Sequence, residues 1–173
     1  MILLSLLLSG CRSIEQPSGP APVLFAGDEA RLLQGYDALI EPGRHPQKWW
    51  NSGTMWWSIP PETKVFSPID GRVDTTGGVA KCGEAHPGPG LTIQHDPGVP
   101  WMLTLGGVNP ILRAGQLVEK GQLVGYVADQ ELCYQSNFSL TLRTLASDIP
   151  IDPMETVFAE LPEAEKRRLN RSR

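Results

Sequence analysis

Histidine is scarce in this sequence. The chain has three, His45, His86 and His95, and no two are spaced to share one face of a helix or strand. Cysteine also numbers three. Positive charge is not in excess: the formal net charge is −4, which argues against a nucleic-acid partner, because such a partner needs a basic face to neutralise phosphates. No apolar run approaches the roughly 20 residues of a membrane-spanning helix. There is no Gly-x-Ser-x-Gly elbow, no phosphate-cradling glycine loop and no internal repeat. Asp96, Asp129 and Glu131 are candidate acids, but the sequence does not pair them at the defined separation that glycoside hydrolysis requires. Glycine (18) and proline (16) are plentiful in 173 residues that are 40% hydrophobic. That combination fits one domain with tails, built from short strands and many turns rather than long helices.

The first eleven residues read Met-Ile-Leu-Leu-Ser-Leu-Leu-Leu-Ser-Gly-Cys. An apolar run closed by Leu-Ser-Gly-Cys resembles the lipobox of bacterial lipoproteins. The resemblance implies a signal segment over 1–10, cleavage before Cys11 and acylation of its thiol. A core strand is the other reading. The run is short for a signal peptide and lacks a Lys/Arg leader, so a start upstream is expected. Arg12 after the cysteine points, on the same resemblance, to the periplasmic face of the outer membrane. In an exported protein Cys82 and Cys133 would meet an oxidising compartment and pair, which stabilises by roughly 2–4 kcal/mol. Two buried free thiols are the alternative.

Residues 12–22 are rich in Ser, Pro and Gly and read as a tether. In 28–40, Leu32, Leu33, Tyr36, Leu39 and Ile40 share a helical face, which predicts a short amphipathic helix ended by Pro42 and Gly43. Residues 44–61 read as irregular and hold Trp49, Trp50, Trp56 and Trp57. These can stack on sugars, but such clusters are more often packing residues. From 62 the texture turns to β, with strands predicted at 64–67, 71–75, 91–95, 101–105, 122–128 and 137–143. Leu91, Ile93 and His95 share one face of their strand; Trp101, Leu103 and Leu105 share one face of theirs. An antiparallel β-sandwich or barrel follows. Residues 154–173 read as one or two short helices, the second started by Pro162, with a basic, solvated, frayed end.

Four segments over 63–153 together resemble the LytM/lysostaphin-type peptidoglycan metalloendopeptidase domain. Val65-Phe66-Ser67-Pro68-Ile69-Asp70-Gly71-Arg72-Val73 is similar to that family's opening strand pair. Gly90-Leu91-Thr92-Ile93-Gln94-His95-Asp96-Pro97-Gly98 is similar to its Gly-rich hairpin. The run from Leu112 to Gly125 has its Val-x-x-Gly texture, and Ile151-Asp152-Pro153 its closing motif. The glycines Gly115, Gly121 and Gly125 would supply positive-φ turns between short strands. Lipoyl and biotin carrier domains share that texture but set a modified Lys beside Met, and neither Lys81 nor Lys120 has a Met neighbour. The resemblance implies a mostly β, LytM-like fold of the duplicated hybrid motif type over 62–153, with short N- and C-terminal helices. An anchor, tether and Trp-rich region would occupy 11–61, and a helical basic tail 154–173.

An active member of that family holds zinc with a His, an Asp four residues later, and the second His of a His-x-His. This chain departs from the pattern at each place. The stretch Gly53-Thr54-Met55-Trp56-Trp57-Ser58 has neither His nor Asp. The His-x-His strand reads Asn137-Phe138-Ser139-Leu140-Thr141-Leu142-Arg143, so Asn137 and Ser139 point where the histidines would, with Phe138, Leu140 and Leu142 facing the core. Residues 102–107 lack the histidine of a Tyr-x-His-Leu strand. Asn and Ser are poor zinc ligands and cannot act as a general base. The reading is therefore a non-catalytic envelope lipoprotein, with no catalytic residue, no metal ligand and no cofactor. Its degenerate groove (Asn137, Ser139, Thr141, Trp56, Trp57) would bind peptidoglycan or a cell-wall hydrolase, as an amidase activator or scaffold. Two alternatives stay open: an active metalloendopeptidase with an altered zinc site, and a structural subunit of an envelope complex.

Overall fold

Apolar side chains two residues apart set the architecture. Phe138, Leu140 and Leu142, Leu91 and Ile93, and Leu103 and Leu105 are all fully buried, because alternate side chains of a strand turn to one face. The computed structural model describes residues 24–26, 29–34, 54–78, 88–95, 100–132, 135–146 and 149–169. Ten strands and one helix lie within them: β1 (Arg31–Gln34), β2 (Thr54–Ser58), β3 (Lys64–Phe66), β4 (Gly71–Thr76), β5 (Gly90–His95), β6 (Trp101–Gly106), β7 (Val108–Pro110), β8 (Leu117–Val118), β9 (Leu123–Val127), β10 (Phe138–Thr144) and α1 (Glu163–Leu169). Seven strands form one sheet in the order β1-β2-β10-β6-β5-β4-β8, and three form a second in the order β3-β9-β7. Every pairing is antiparallel. Among the described residues the sheets do not close into a barrel. They share one apolar cluster, in which Val65, Val108, Val124 and Val127 of the small sheet meet the inward row of the large one.

The six strands expected from 64 onward are present with ends shifted by a residue or two. Four others were not expected. β2 sits in the stretch read as irregular: Thr54, Met55, Trp56 and Trp57 are all buried, so both faces are covered and no polar alternation marks the strand. β1 replaces the first half of the expected helix at 28–40. Leu32 and Leu33, adjacent on a helical face, lie on an extended edge strand instead, and Leu32 pairs with Trp57. Tertiary pairing along β2 outweighs a weak helical pattern here. Residues 35–40 fall outside the described part. β7 is only three residues long and ends in Pro110, and β8 is two residues long.

Gly115 and Gly121 do adopt positive φ, +85° and +84°. Gly125 does not. It lies inside β9, where an added Cβ would sit 2.4 Å from the Asn109 carbonyl oxygen. Close approach of β7, rather than a turn, requires glycine at that position.

The two ends of the described chain are joined through β2. The Trp57 indole is fully buried. Its ring meets Phe25 edge-on at 6.0 Å and Phe138 at 5.6 Å, and its N–H donates to the Leu169 carbonyl at 3.0 Å. The Arg168 guanidinium lies 5.2 Å from the Phe25 ring centroid and donates to the Phe25 carbonyl at 3.2 Å. Pro162 precedes the helix as expected, accepting from Glu165 and Lys166. The tail expected to be solvated is thus docked as far as Leu169, which is fully buried. Cys11, Cys82, Cys133, Trp49, Trp50, His45, His86 and the tether lie outside the described residues.

Trp57→Ala removes the largest of these side chains and its hydrogen bond. It is expected to cost about 3–5 kcal/mol of unfolding free energy, read by urea denaturation. Leu117→Ala, at a site 69% exposed, is expected to stay within about 0.5 kcal/mol of the parent chain. Equal stability of the two variants would contradict this account of the core.

Candidate functional site

The register of β2, β10, β6, β5 and β4 places side chains in straight rows across the face of the large sheet turned away from the core. One row runs Trp56, Ser139, Gly106, Gly90. The next runs Thr54, Thr141, Thr104, Thr92, Thr75. A third runs Arg143, Met102, Gln94, Arg72. Trp56 and Ser139 are buried, Thr141, Thr104, Met102 and Arg143 are half-buried, and Gln94, Arg72 and Thr75 are exposed. The protected end of this face is therefore the Trp56 row.

Four of the five residues expected to form a groove meet on or beside this face. Trp56 and Ser139 are direct cross-strand partners, and Thr141 is the partner of Thr54, with 2.8 Å between their hydroxyl oxygens. Asn137 stands just before β10. Its side chain accepts from the Ile59 N–H at 2.9 Å and donates to the Ile59 carbonyl at 2.6 Å. The amide thereby acts as one more rung, a backbone clamp, between β2 and β10. Trp57 is not part of the site, since strand alternation turns it into the core.

This row is where the resemblance would put zinc. Ser139 offers a neutral hydroxyl, Trp56 an indole, Asn137 an amide engaged with Ile59, and Gly106 and Gly90 no side chain. None is an imidazole, thiolate or carboxylate, the groups that bind zinc in proteins, so these residues do not fit the metal. Among the described residues no three His, Cys, Asp or Glu side chains are grouped to hold an ion. His95 lies toward the other end of the strands on the core side, edge-on to Trp101 at 5.6 Å. That is the face its alternation predicts.

Beyond Asn137 opens a cleft of about 900 Å³ bounded by Glu29, Arg31, Ile59, Asp129 and Glu131. It brings together Asp129 and Glu131, two of the sequence's candidate acids; Asp96 lies outside the described residues. Sequence reasoning missed the threonine row. Each threonine is ordinary in its own strand, and only the register aligns them.

Asn137→Ala strands the Ile59 N–H and carbonyl at a partly buried position. An unfolding cost of about 1–3 kcal/mol is expected. Asn137→Asp keeps one acceptor but loses the donor, and it should fall between Ala and the parent in the same denaturation measurement.

No protein-family model and no curated protein sequence matches the chain. Solved structures do. The catalytic domain of the prophage-encoded M23 protein EnpA from Enterococcus faecalis aligns over 77% of this chain and 94% of its own, at 18% identity and a TM-score of 0.54. LytU aligns over 80% of this chain and 90% of its own, at 16% identity and 0.57. Lysostaphin aligns over 79% of this chain but 54% of its own length, at 14% identity and 0.57. The chain therefore spans isolated domains of this kind almost whole and about half of lysostaphin. At such identities the likeness is one of fold: this chain is similar in fold to the LytM-type domains of M23 peptidases.

Proposed function

We propose that this domain is a non-catalytic, cell-wall-directed binding module. It would hold peptidoglycan, or an enzyme that acts on peptidoglycan, on the outer face of its large sheet. One observation carries the reading: the row Trp56, Ser139, Gly106, Gly90, on a sheet similar in fold to M23 peptidase domains, offers no side chain suited to zinc or to general-base chemistry at neutral pH. Fold alone does not assign activity. The site residues, rather than the fold, argue against hydrolysis.

The likeness to lysostaphin and to the M23 protein EnpA supports the cell wall as the setting. Acylation at Cys11 is part of the proposal, on the strength of the Leu-Ser-Gly-Cys sequence. It would tether the module to the envelope, most simply at the periplasmic face of the outer membrane. Several acyl chains hold a protein far more firmly than one.

The lipid-free chain, purified without chelators, is expected to contain far less than one zinc per molecule by mass spectrometry. It should sediment with sacculi and release no muropeptides. Near-stoichiometric zinc together with muropeptide release would replace this reading with an active metalloendopeptidase. For the anchor, Cys11→Ser is expected to move the protein from the membrane fraction to the soluble fraction; unchanged membrane retention would exclude acylation there as the tether.

A further inference from the structure

We infer that the threonine row is a platform for a glycan strand lying across the β-strands, and that sugar rather than stem peptide is what this face recognises. The inference rests on the cell-wall reading above. Thr54, Thr141, Thr104, Thr92 and Thr75 are in register on five adjacent strands. Neighbouring strands lie about 4.8 Å apart, so the row spans roughly 19 Å. That is a line of hydroxyls at a spacing close to one pyranose of an extended β-linked glycan. Gly106 and Gly90 leave one flank of the row without side chains beside Thr104 and Thr92, with Trp56 and Ser139 beside Thr54 and Thr141, and Arg143, Met102, Gln94 and Arg72 line the other.

The hydroxyls are held in pairs. Thr54 and Thr141 are 2.8 Å apart at their oxygens, and Thr92 and Thr104 3.4 Å. In each pair one member is buried (Thr54, Thr92) and the other half-buried (Thr141, Thr104). The buried hydroxyl orients its partner, and a hydroxyl has one donor and two acceptor sites, so the partner keeps capacity for a ligand. Cross-strand threonine pairs also stabilise sheets on their own, which would explain two pairs. It does not explain the fifth residue. In β4 the register shifts between Val73 and Thr75. Unshifted pairing would set Asp74 opposite Thr92; the shift sets Thr75 there instead. A bulge that re-aims a side chain is a recurrent device at sites, and here it adds Thr75 to the hydroxyl line beside the exposed Asp74.

Peptide is the poorer occupant. Sheets bind extended peptides through free backbone groups at an edge strand, and β10, β6 and β5 each have strands on both sides. The register partners in the three rows include no carboxylate, though Asp74 is exposed beside Thr75 in the β4 bulge; Arg143 and Arg72 flank the threonines, and Arg72, while donating to the Gly115 carbonyl at 2.8 Å, retains further N–H donors suited to the acidic and acetamido substituents of wall sugars.

Three probes separate the possibilities: intact sacculi, glycan strands stripped of peptide, and free stem peptides. The parent protein is expected to bind sacculi and stripped glycan, with no competition from stem peptide. The double variant Thr104→Val/Thr141→Val should bind stripped glycan about tenfold more weakly. Thr75→Val, at an exposed position clear of the buried hydroxyls, should weaken it a few-fold, and Thr104→Ser, which keeps the hydroxyl, should bind like the parent. Circular dichroism and urea midpoints establish that each variant is folded; if the double variant is not, Thr75→Val decides. Sacculus binding without binding to stripped glycan overturns the glycan assignment alone, as do competition by stem peptide or valine variants that bind like the parent. Failure to bind sacculi at all overturns the cell-wall reading and this inference with it.

Discussion

The arrangement depends first on how β10 is held between β2 and β6. Phe138, Leu140 and Leu142 are buried on one side of that strand, while Ser139 and Thr141 turn to the other. Its register with both neighbours sets which residues share a row across five strands. A slip of one residue would drive Ser139, Thr141 and Arg143 into the core and turn three large apolar side chains outward. Full burial of one such side chain is worth about 1.5–3 kcal/mol, so the apolar set fixes the register strongly. The Asn137 clamp on Ile59 adds a directional restraint at the end of the same strand pair. Everything proposed for the outer face follows from this one alignment.

The same constraint explains why the chain's extremities belong to the fold. β2 brings Trp57 into the core, and an indole that is buried requires a partner for its N–H. The carbonyl of Leu169 provides it. Arg168 then reaches the carbonyl and ring of Phe25, so segments more than 140 residues apart in sequence close over one tryptophan. Within the helix, Arg168 also pairs with Glu165 at 2.9 Å, and Lys166 with Glu163 at 3.1 Å. The second pair, whose Glu163 is exposed, contributes little; the first is part-buried and holds the guanidinium beside Phe25. The docking comes from Leu169 and from the hydrogen bond to the indole.

The legible part of this fold is the part where apolar and polar residues alternate. In β5, β6 and β10 the large buried apolar residues fall at every second position, with Thr or Ser between them. The strand at 54–58 was not legible because it is buried on both faces. The strand at 31–34 was hidden by a leucine pair that also suits a helix. Gly125 was read as a turn glycine because sequence shows that a side chain is lacking but not what approaches the backbone. In the site, the pointing of Ser139 and Thr141 was readable from period two alone. The clamp made by Asn137 and the threonine row were not, because each depends on a partner in another strand, and pairing across 78 or 87 positions leaves no local signal.

A catalytic zinc site asks the outer face of a LytM-type sheet for imidazole and carboxylate at fixed points, but the core does not ask for them. The rows that would carry ligands are separated from the apolar cluster by the sheet itself. The apolar alternation of β10, β6 and β5 persists whether the outward residue is a ligand or a threonine. Threonine is also well suited to a strand by β-branching, so a hydroxylated outer face carries no penalty for the sheet that bears it. Such a core alongside a hydroxylated outer face is then physically coherent. The core fixes the register of this face, and the chemistry the face presents is set by side chains that the core leaves free to vary.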